Sequence, residues 1–470
     1  MPFIKRRSFM QTIKRAPATE GPLFTKMILF TIPIMLTGIL QLLYNSADSI
    51  IIGRFSGDPN ALGAVGSTAS ATGLLINMLM GLGAGTGVLV SQFFGAKHDS
   101  GVSRVVHTSL SAGLIGGIFF MLLGEFISEP LLKLLGTDPV LMDSALLYMR
   151  IIFAGVPASA IFNFGAAVVR SLGDSRTPLI ILASTGLLNV ALNLVFVIGY
   201  GMSVEGVAIA TIISQYASAA AIVFILKRAS GPQKFFFSKL RIDVAILLRM
   251  LKIAIPSAIQ SSLFSISNMI LQSSVNTFST DAISGAAVGS NIDSYTYIAL
   301  NSFYHTTLTF SGQNYGARKF DRSRRVALYS IIQVTVVGLT LGTVMTVFVE
   351  PIAMLFVDPN AANAAAIVAA AKERAVIVLI PYVFCGYMET FTGFLRGWGY
   401  SLLPMLSSVF CVCVVRIIWA KLFFPLPLFN SISGLFIIYP ITWALAALMQ
   451  GTMSVIISGN KRITKVLATS

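Results

Sequence analysis

A chain of 470 residues with a mean hydropathy of +0.82, 55% hydrophobic and only 11% charged residues carries too little charge to keep a soluble surface hydrated. A net charge of +15 would suit nucleic-acid binding in a soluble protein, so the placement of the basic residues has to decide. Placement excludes a nucleic-acid partner: 26 of the 33 Lys and Arg fall on alternate connections beginning with the N-terminus, and the intervening connections are nearly bare. This positive-inside pattern predicts a multi-pass protein of the plasma (inner) membrane with both termini cytoplasmic.

Residues 1–26 are basic and lack an apolar core with a small-residue cleavage site, which reads as a cytoplasmic tail rather than a signal peptide. Apolar runs follow at 27–53, 60–92, 102–127, 142–170, 178–199 and 205–227, and the series resumes at 247–277, 283–315, 323–349, 363–395, 401–424 and 431–458. A span takes about 20 apolar residues. The expected fold is therefore all-α and polytopic, with twelve transmembrane helices in two pseudo-symmetric six-helix lobes. The N-lobe covers 27–227 and the C-lobe 247–458, with a basic cytoplasmic connector at 228–246 and a second tail at 459–470.

The first span holds Pro33, Gln41, Tyr44 and Asp48. A carboxylate about two thirds of the way through a span costs a few kcal/mol unless it is paired, hydrated or protonated. Gln41 and Tyr44 lie on its side of the helix and are candidates to line an N-lobe cavity. The second span opens on Ala64, Val65, Gly66 and Ser67 and carries Gly81, Gly83, Gly85 and Gly87, a run that without a preceding strand reads as close helix packing rather than a nucleotide loop. It closes on Gln92, Gly95, Ala96 and Lys97. The eighth span repeats both ends as Ala287, Val288, Gly289 and Ser290, then Gln313, Gly316, Ala317 and Arg318. The fourth ends on Arg170 and Gly173 with Pro178 following, and the tenth on Arg396 and Gly399 with Pro404 following. Such a repeat, with an even number of spans per copy, points to a transporter whose halves are related by an axis along the membrane normal and enclose a central site. Pro33 and Pro256, at matched places, are expected to kink their helices.

Asn189 and Asn193 share a face of the fifth span, and Thr211 follows in the sixth. The order of these features, from Pro33 and Asp48 through the Gly83 to Ala96 stretch, Asn189, Asn193, Gly206 and Thr211, to Gln313 to Ala317, resembles the MATE (multidrug and toxic compound extrusion) transporters over nearly the whole chain after the tail. The resemblance implies an antiporter that exports amphipathic, cationic drugs or toxic organic compounds by alternating access, in exchange for Na+ or H+. It implies no cofactor and no enzymatic activity. It also implies that Asp48, Asn189, Asn193 and Thr211 form the coupling site, where Na+ could be held. Some members carry a second carboxylate in place of Asn193, which leaves Na+ against H+ open here.

Two positions that are acidic in some family members are Phe264 and Cys385 in this chain. The C-lobe offers instead Asp293 and His305 on the eighth span and Glu389 on the tenth, as candidates for the substrate cavity or as helix-to-helix contacts, Glu389 with Arg416 among them. Asp293 is expected nearer the outer surface. With one carboxylate and two amides gathered only in the first half, that half reads as the ion-coupling lobe. The three cysteines, Cys385, Cys411 and Cys413, lie in apolar runs and suggest no redox or metal chemistry. The partners expected are membrane lipid and a small-molecule substrate, for a monomer. The alternative function is a flippase or exporter of lipid-linked or other endogenous metabolites with a related two-lobe fold, which would need a cationic cavity; Arg416 and Lys421 are the basic residues expected deep in a span. No Walker motif, HExxH or GxSxG is present.

Overall fold

A computed structural model describes residues 17–357 and 361–460, without the side chains of residues 70, 71 and 74–80. Residues 1–16 of the first tail and 461–470 of the second lie outside the described residues. The first half contains α1 (Leu23–Phe55), α2 (Ala61–Gly95), α3 (Asp99–Leu134), α4 (Pro139–Ala154 with Val156–Ser171), α5 (Arg176–Gly199) and α6 (Val204–Arg228). The second contains α7 (Val244–Val275), α8 (Thr280–Gly316), α9 (Phe320–Val347), α10 (Ala364–Val378 with Tyr382–Gly397), α11 (Leu402–Phe423) and α12 (Ile432–Gly459). Twelve helical spans in two sets of six are the architecture expected from the apolar runs.

Eight of the described helices, or nine with the bent α4, are individually long and apolar enough to cross a membrane. The other three spans are α2, α8 and α10. Helix α8 packs against α1, α2, α9 and α10, which lets it carry Asp, Asn, His and many hydroxyls away from lipid. Side-chain caps start several helices: Asp138 accepts from the Val140 amide, Asp243 from Ile246 and Ser279 from Ala282. The expected kinks at Pro33 and Pro256 are not breaks, since both prolines lie inside continuous helices. The chain breaks elsewhere, by 44° at Gly155 in α4, just ahead of Pro157, and around Pro381 in α10. A missing amide frees a carbonyl, and a nearby glycine or helix end relieves the rest.

The halves meet at the end of the bundle that carries Lys97 and Arg318. A Cβ on Gly95 would lie 1.9 Å from the Gln313 carbonyl oxygen, and a Cβ on Gly316 would lie 1.9 Å from that of Gln92. The contact is reciprocal. Gln92 Nε2 donates to the Gly397 carbonyl at 3.0 Å, and Gln313 Nε2 donates to the Ser171 carbonyl at 2.7 Å. The turns are matched too, with φ of 55° at Lys97 and 58° at Arg318, and of 94° at Gly173 and 89° at Gly399. Gly81 and Gly85 bring α2 against the backbone of α7, as close packing predicts.

The last residues of the expected tail are ordered against this seam. The Ala18 amide donates to Gln313 Oε1 at 2.7 Å, Arg322 donates to the carbonyls of Ala18, Glu20 and Gly21, and α1 begins at Leu23 rather than after residue 26. The connector is likewise tied down: the Phe236 amide donates to His107 Nε2, and the Asp243 amide to Thr108 Oγ1.

Candidate functional site

Helices α1, α5 and α6 pack together in the first half and bring four candidate residues into one chain of hydrogen bonds. Asn193 Nδ2 donates to Asp48 Oδ1 at 2.5 Å and lies 3.4 Å from Asn189 Oδ1. Asn189 Nδ2 donates to Thr211 Oγ1 at 3.3 Å. The spacing of four in α5 stacks the two amides on one face, and the helix widens into a π-helical turn from Leu194, immediately after Asn193. Asn193 is fully buried, and its Oδ1 has no partner among the described residues. Asp48 is half-buried, and Tyr148 is near it.

The donor set is a carboxylate, two amide oxygens and a hydroxyl. Hard oxygens of this kind suit a small hard cation such as Na+, and an orphaned buried oxygen is an acceptor waiting for a positive charge. A carboxylate with a neutral amide neighbour can equally hold a proton. Tyr44 is tied to α5 one to two turns from the asparagines: its ring lies against Gly186 and its hydroxyl donates to the Ala183 carbonyl at 3.1 Å. Gln41 is half-buried on the same helix.

In the second half a cavity of about 360 Å³ opens between α7, α8, α10, α11 and α12. Asp293 and Glu389 both line it, as do Phe264 and Cys385, the two positions where acidic residues are lacking. His305 is not among its walls; it is half-buried, with its ring 5.0 Å from that of Tyr304 and with Arg170 and Arg396 as charged neighbours. Gln41 and Tyr44 also lie apart from this cavity.

Asp293 is 4% exposed, and Arg374 on α10 donates Nε and Nη2 to its Oδ2 at 3.0 and 2.7 Å. Two expectations are corrected. Glu389 forms no ion pair with Arg416, whose guanidinium is turned to Thr442 and Asn268. Arg416 and Lys421 are also not the only basic residues to examine in the spans: Lys421 is exposed, while Arg374 and Arg396 are each 6% exposed.

Arg374 is the functional candidate that the sequence reading missed. Its signal was the triplet Lys372, Glu373 and Arg374 inside an apolar run. Successive helical residues are turned by about 100°, so three charges in a row cannot all face outward. Lys372 pairs with Glu350 at 2.6 Å, Glu373 accepts from Ser433 at the helix N-terminus, and Arg374 is left facing the interior.

Comparison with known proteins returns the same halves. The MatE family model matches twice, at residues 33–195 and 256–422, beginning at Pro33 and at Pro256. The chain is similar to the probable multidrug resistance protein YoeA of Bacillus subtilis, 26% identical over 458 residues that cover 96% of this chain and 97% of that protein. It is similar also to the probable multidrug resistance protein YpnP of the same organism, 28% identical over 413 residues, covering 86% and 89%. In fold it superposes on an outward-facing MATE family transporter of the MOP superfamily with a TM-score of 0.86 and 22% identity, covering 95% of this chain and 97% of that one. A duplicated twelve-helix bundle, polar sites buried in its spans and a family model matched in each half establish that this chain belongs to the MATE family of multidrug transporters.

Proposed function

We propose that the chain is a cation-coupled antiporter that exports amphipathic organic compounds carrying a positive charge. The observation that carries this reading is the hydrogen-bonded chain of Asp48, Asn193, Asn189 and Thr211, in which the buried Asn193 Oδ1 has no partner among the described residues. A coupling cation, Na+ or H+, occupies this site on one face of the membrane, is released on the other, and biases which way the two lobes open. The cargo is met by Gln41 and Tyr44 in the first half and by Glu389, Asp293 and His305 in the second. The chain works as a monomer in the lipid of the plasma (inner) membrane, with both termini cytoplasmic, and needs no cofactor.

The test is uptake of a fluorescent lipophilic cation into vesicles holding the purified chain, under an imposed Na+ gradient or an imposed pH gradient. One of the two gradients should drive uptake, and Asp48→Asn should reduce gradient-driven uptake to the level of empty vesicles. Uptake by the variant equal to that of the wild type would remove Asp48 from the coupling role, and uptake under neither gradient would remove antiport itself.

A further inference from the structure

Cations at the seam end of the bundle are used in two ways. Beside the N-terminal strap they are occupied by backbone: Lys319 Nζ donates to the Thr19 carbonyl at 2.9 Å, and Arg322 to the carbonyls of Ala18, Glu20 and Gly21. The connector between α6 and α7 carries Lys227, Arg228, Lys234, Lys239 and Arg241, all exposed, and none of the ion pairs among the described residues includes any of the five. Its one carboxylate, Asp243, is taken by Arg104. Phenyl rings stand beside the connector's cations instead. Lys234 Nζ and Lys239 Nζ lie 5.3 and 4.9 Å from the centroid of a single ring, Phe236. Lys227 Nζ lies 5.5 Å from the centroid of Phe237, and Arg228 Cζ 4.3 Å from that of Phe224. A ring face steadies an ammonium group without cancelling its charge, so two like charges are gathered on Phe236 with no anion between them among the described residues.

The segment is held in one shape. The Phe235 ring is 3% exposed and stacks on His107 with centroids 5.4 Å apart, and its amide donates to the Leu226 carbonyl at 3.0 Å. The Phe236 amide donates to His107 Nε2 at 3.1 Å, a single 3-10 turn follows at Phe237–Lys239, and the Asp243 amide is fixed on Thr108 Oγ1. This anchoring leaves apolar groups facing outward among the cations: Phe237 is 57% exposed, and Phe236 and Leu240 are exposed beside it. A soluble phosphate would use the cations and gain nothing from the rings. Because the connector joins two spans, it stands at the membrane boundary, where exposed rings meet acyl chains and ammonium groups meet headgroup phosphates.

We propose that the connector is a docking site for an anionic phospholipid, whose headgroup phosphate takes Lys234 and Lys239 across the Phe236 ring. Lys227, Arg228 and Arg241 widen the positive field around it, and Phe237 and Leu240 lie against the acyl chains. A zwitterionic lipid offers the same phosphate, but its own cationic group opposes the five basic side chains, so the site selects a headgroup of net negative charge. The selection concerns which lipid is held rather than what is carried, and it stands apart from the antiport reading.

The test is equilibrium binding of radiolabelled dioleoylphosphatidylglycerol to the purified full chain in a neutral detergent, with unlabelled competitors. Dioleoylphosphatidylcholine should compete about tenfold less well than dioleoylphosphatidylglycerol, the scale of one or two surface cations, and the difference should shrink as salt is raised. Glycerol phosphate, the headgroup without its chains, should not compete at concentrations where the lipid does. Replacing Lys234→Gln together with Lys239→Gln should bring the affinity for the anionic lipid down to that for the zwitterionic one, and Lys234→Arg with Lys239→Arg should retain it. Lys421→Gln, which removes an exposed cation at the far end of α11 from the seam, should change nothing. Equal competition by the two lipids would overturn the proposal, as would glycerol phosphate competing as well as the lipid, which would make this a site for soluble phosphates. An equal loss from Lys421→Gln would overturn it too, by assigning the preference to net charge. Competition against the wild-type chain decides the matter even where a variant does not fold.

Discussion

Helices α5 and α11 hold corresponding places in the two halves, and both widen into π-helical turns, α5 at its end and α11 at its middle and end. In α5 the widening follows Asn193, whose amide meets Asp48; in α11 it brackets Arg416, whose guanidinium meets Tyr439, Thr442 and Asn268. One backbone device thus presents an acidic, oxygen-rich site in the first half and a basic, aromatic one in the second. The seam at the opposite end of the bundle shows no such divergence, since Gly95, Gln92, Gly316 and Gln313 still make the same contacts in exchange. Side chains that face a cavity answer only to what enters it. Residues that touch their own counterparts have nowhere to drift.

The largest effect is expected where the second half closes a charge pair. Asp293→Asn leaves Arg374 buried without its anion and should destabilise the chain by about 3–5 kcal/mol in thermal unfolding in detergent. Replacing both partners together, Asp293→Leu with Arg374→Met, should recover most of that. A loss near zero for the single variant would mean that water reaches the pair and that the cavity is less closed than the contacts indicate. Next comes the seam: Gly95→Ala and Gly316→Ala should each cost about 1–3 kcal/mol, the range for overpacking, and by equal amounts. Unequal losses would break the equivalence of the two ends.

The first half gives a smaller and more selective effect. Asn193→Ala should raise the cation concentration needed for half-maximal uptake about tenfold, the equivalent of one lost ligand, and Asn189→Ala by less, since it reaches Asp48 only through Asn193. Equal shifts would make the two amides independent ligands. The smallest effect belongs to the connector. The Ile246 amide, with Arg104 beside it, holds the Asp243 carboxyl below the usual aspartate range. A depressed pKa stabilises the fold fully above the ordinary value of about 4 and is lost as pH falls through the lowered one. Asp243→Asn should therefore lower stability slightly at neutral pH and not at all in acid below that range, as followed by melting temperature against pH; a loss that persisted in acid would assign the effect to packing instead.

Twelve spans and their division at the connector were legible because lipid imposes a length and a charge rule on every helix. Asp48 stood out as a carboxylate in an apolar run, and a spacing of four put Asn189 and Asn193 on one face, but their gathering with Thr211 around Asp48 was implied by the family resemblance. Arg374 was not, since its run also holds Lys372 and Glu373, and only packing against α8 decides which of three neighbouring charges turns inward. The partner of Asp293 was hidden for the same reason: 81 residues separate it from Arg374, and no periodicity links them. The breaks lie at Gly155 and Pro381, whereas Pro33 and Pro256 stand inside continuous helices, and no proline spacing in the sequence tells the two cases apart.

The exchange of glycine and glutamine across the seam gives the chain an isologous interface of the kind that joins two identical subunits, here built within a single polypeptide. In such an interface every residue is at once a tenant and a wall. A substitution at Gly95 is felt by Gln313, whose amide also fastens Ser171 and the Ala18 segment, so one altered position reaches both lobes and the N-terminal strap together. Rocking the lobes open at this end would part all of these contacts in a single cooperative step rather than peel them one by one.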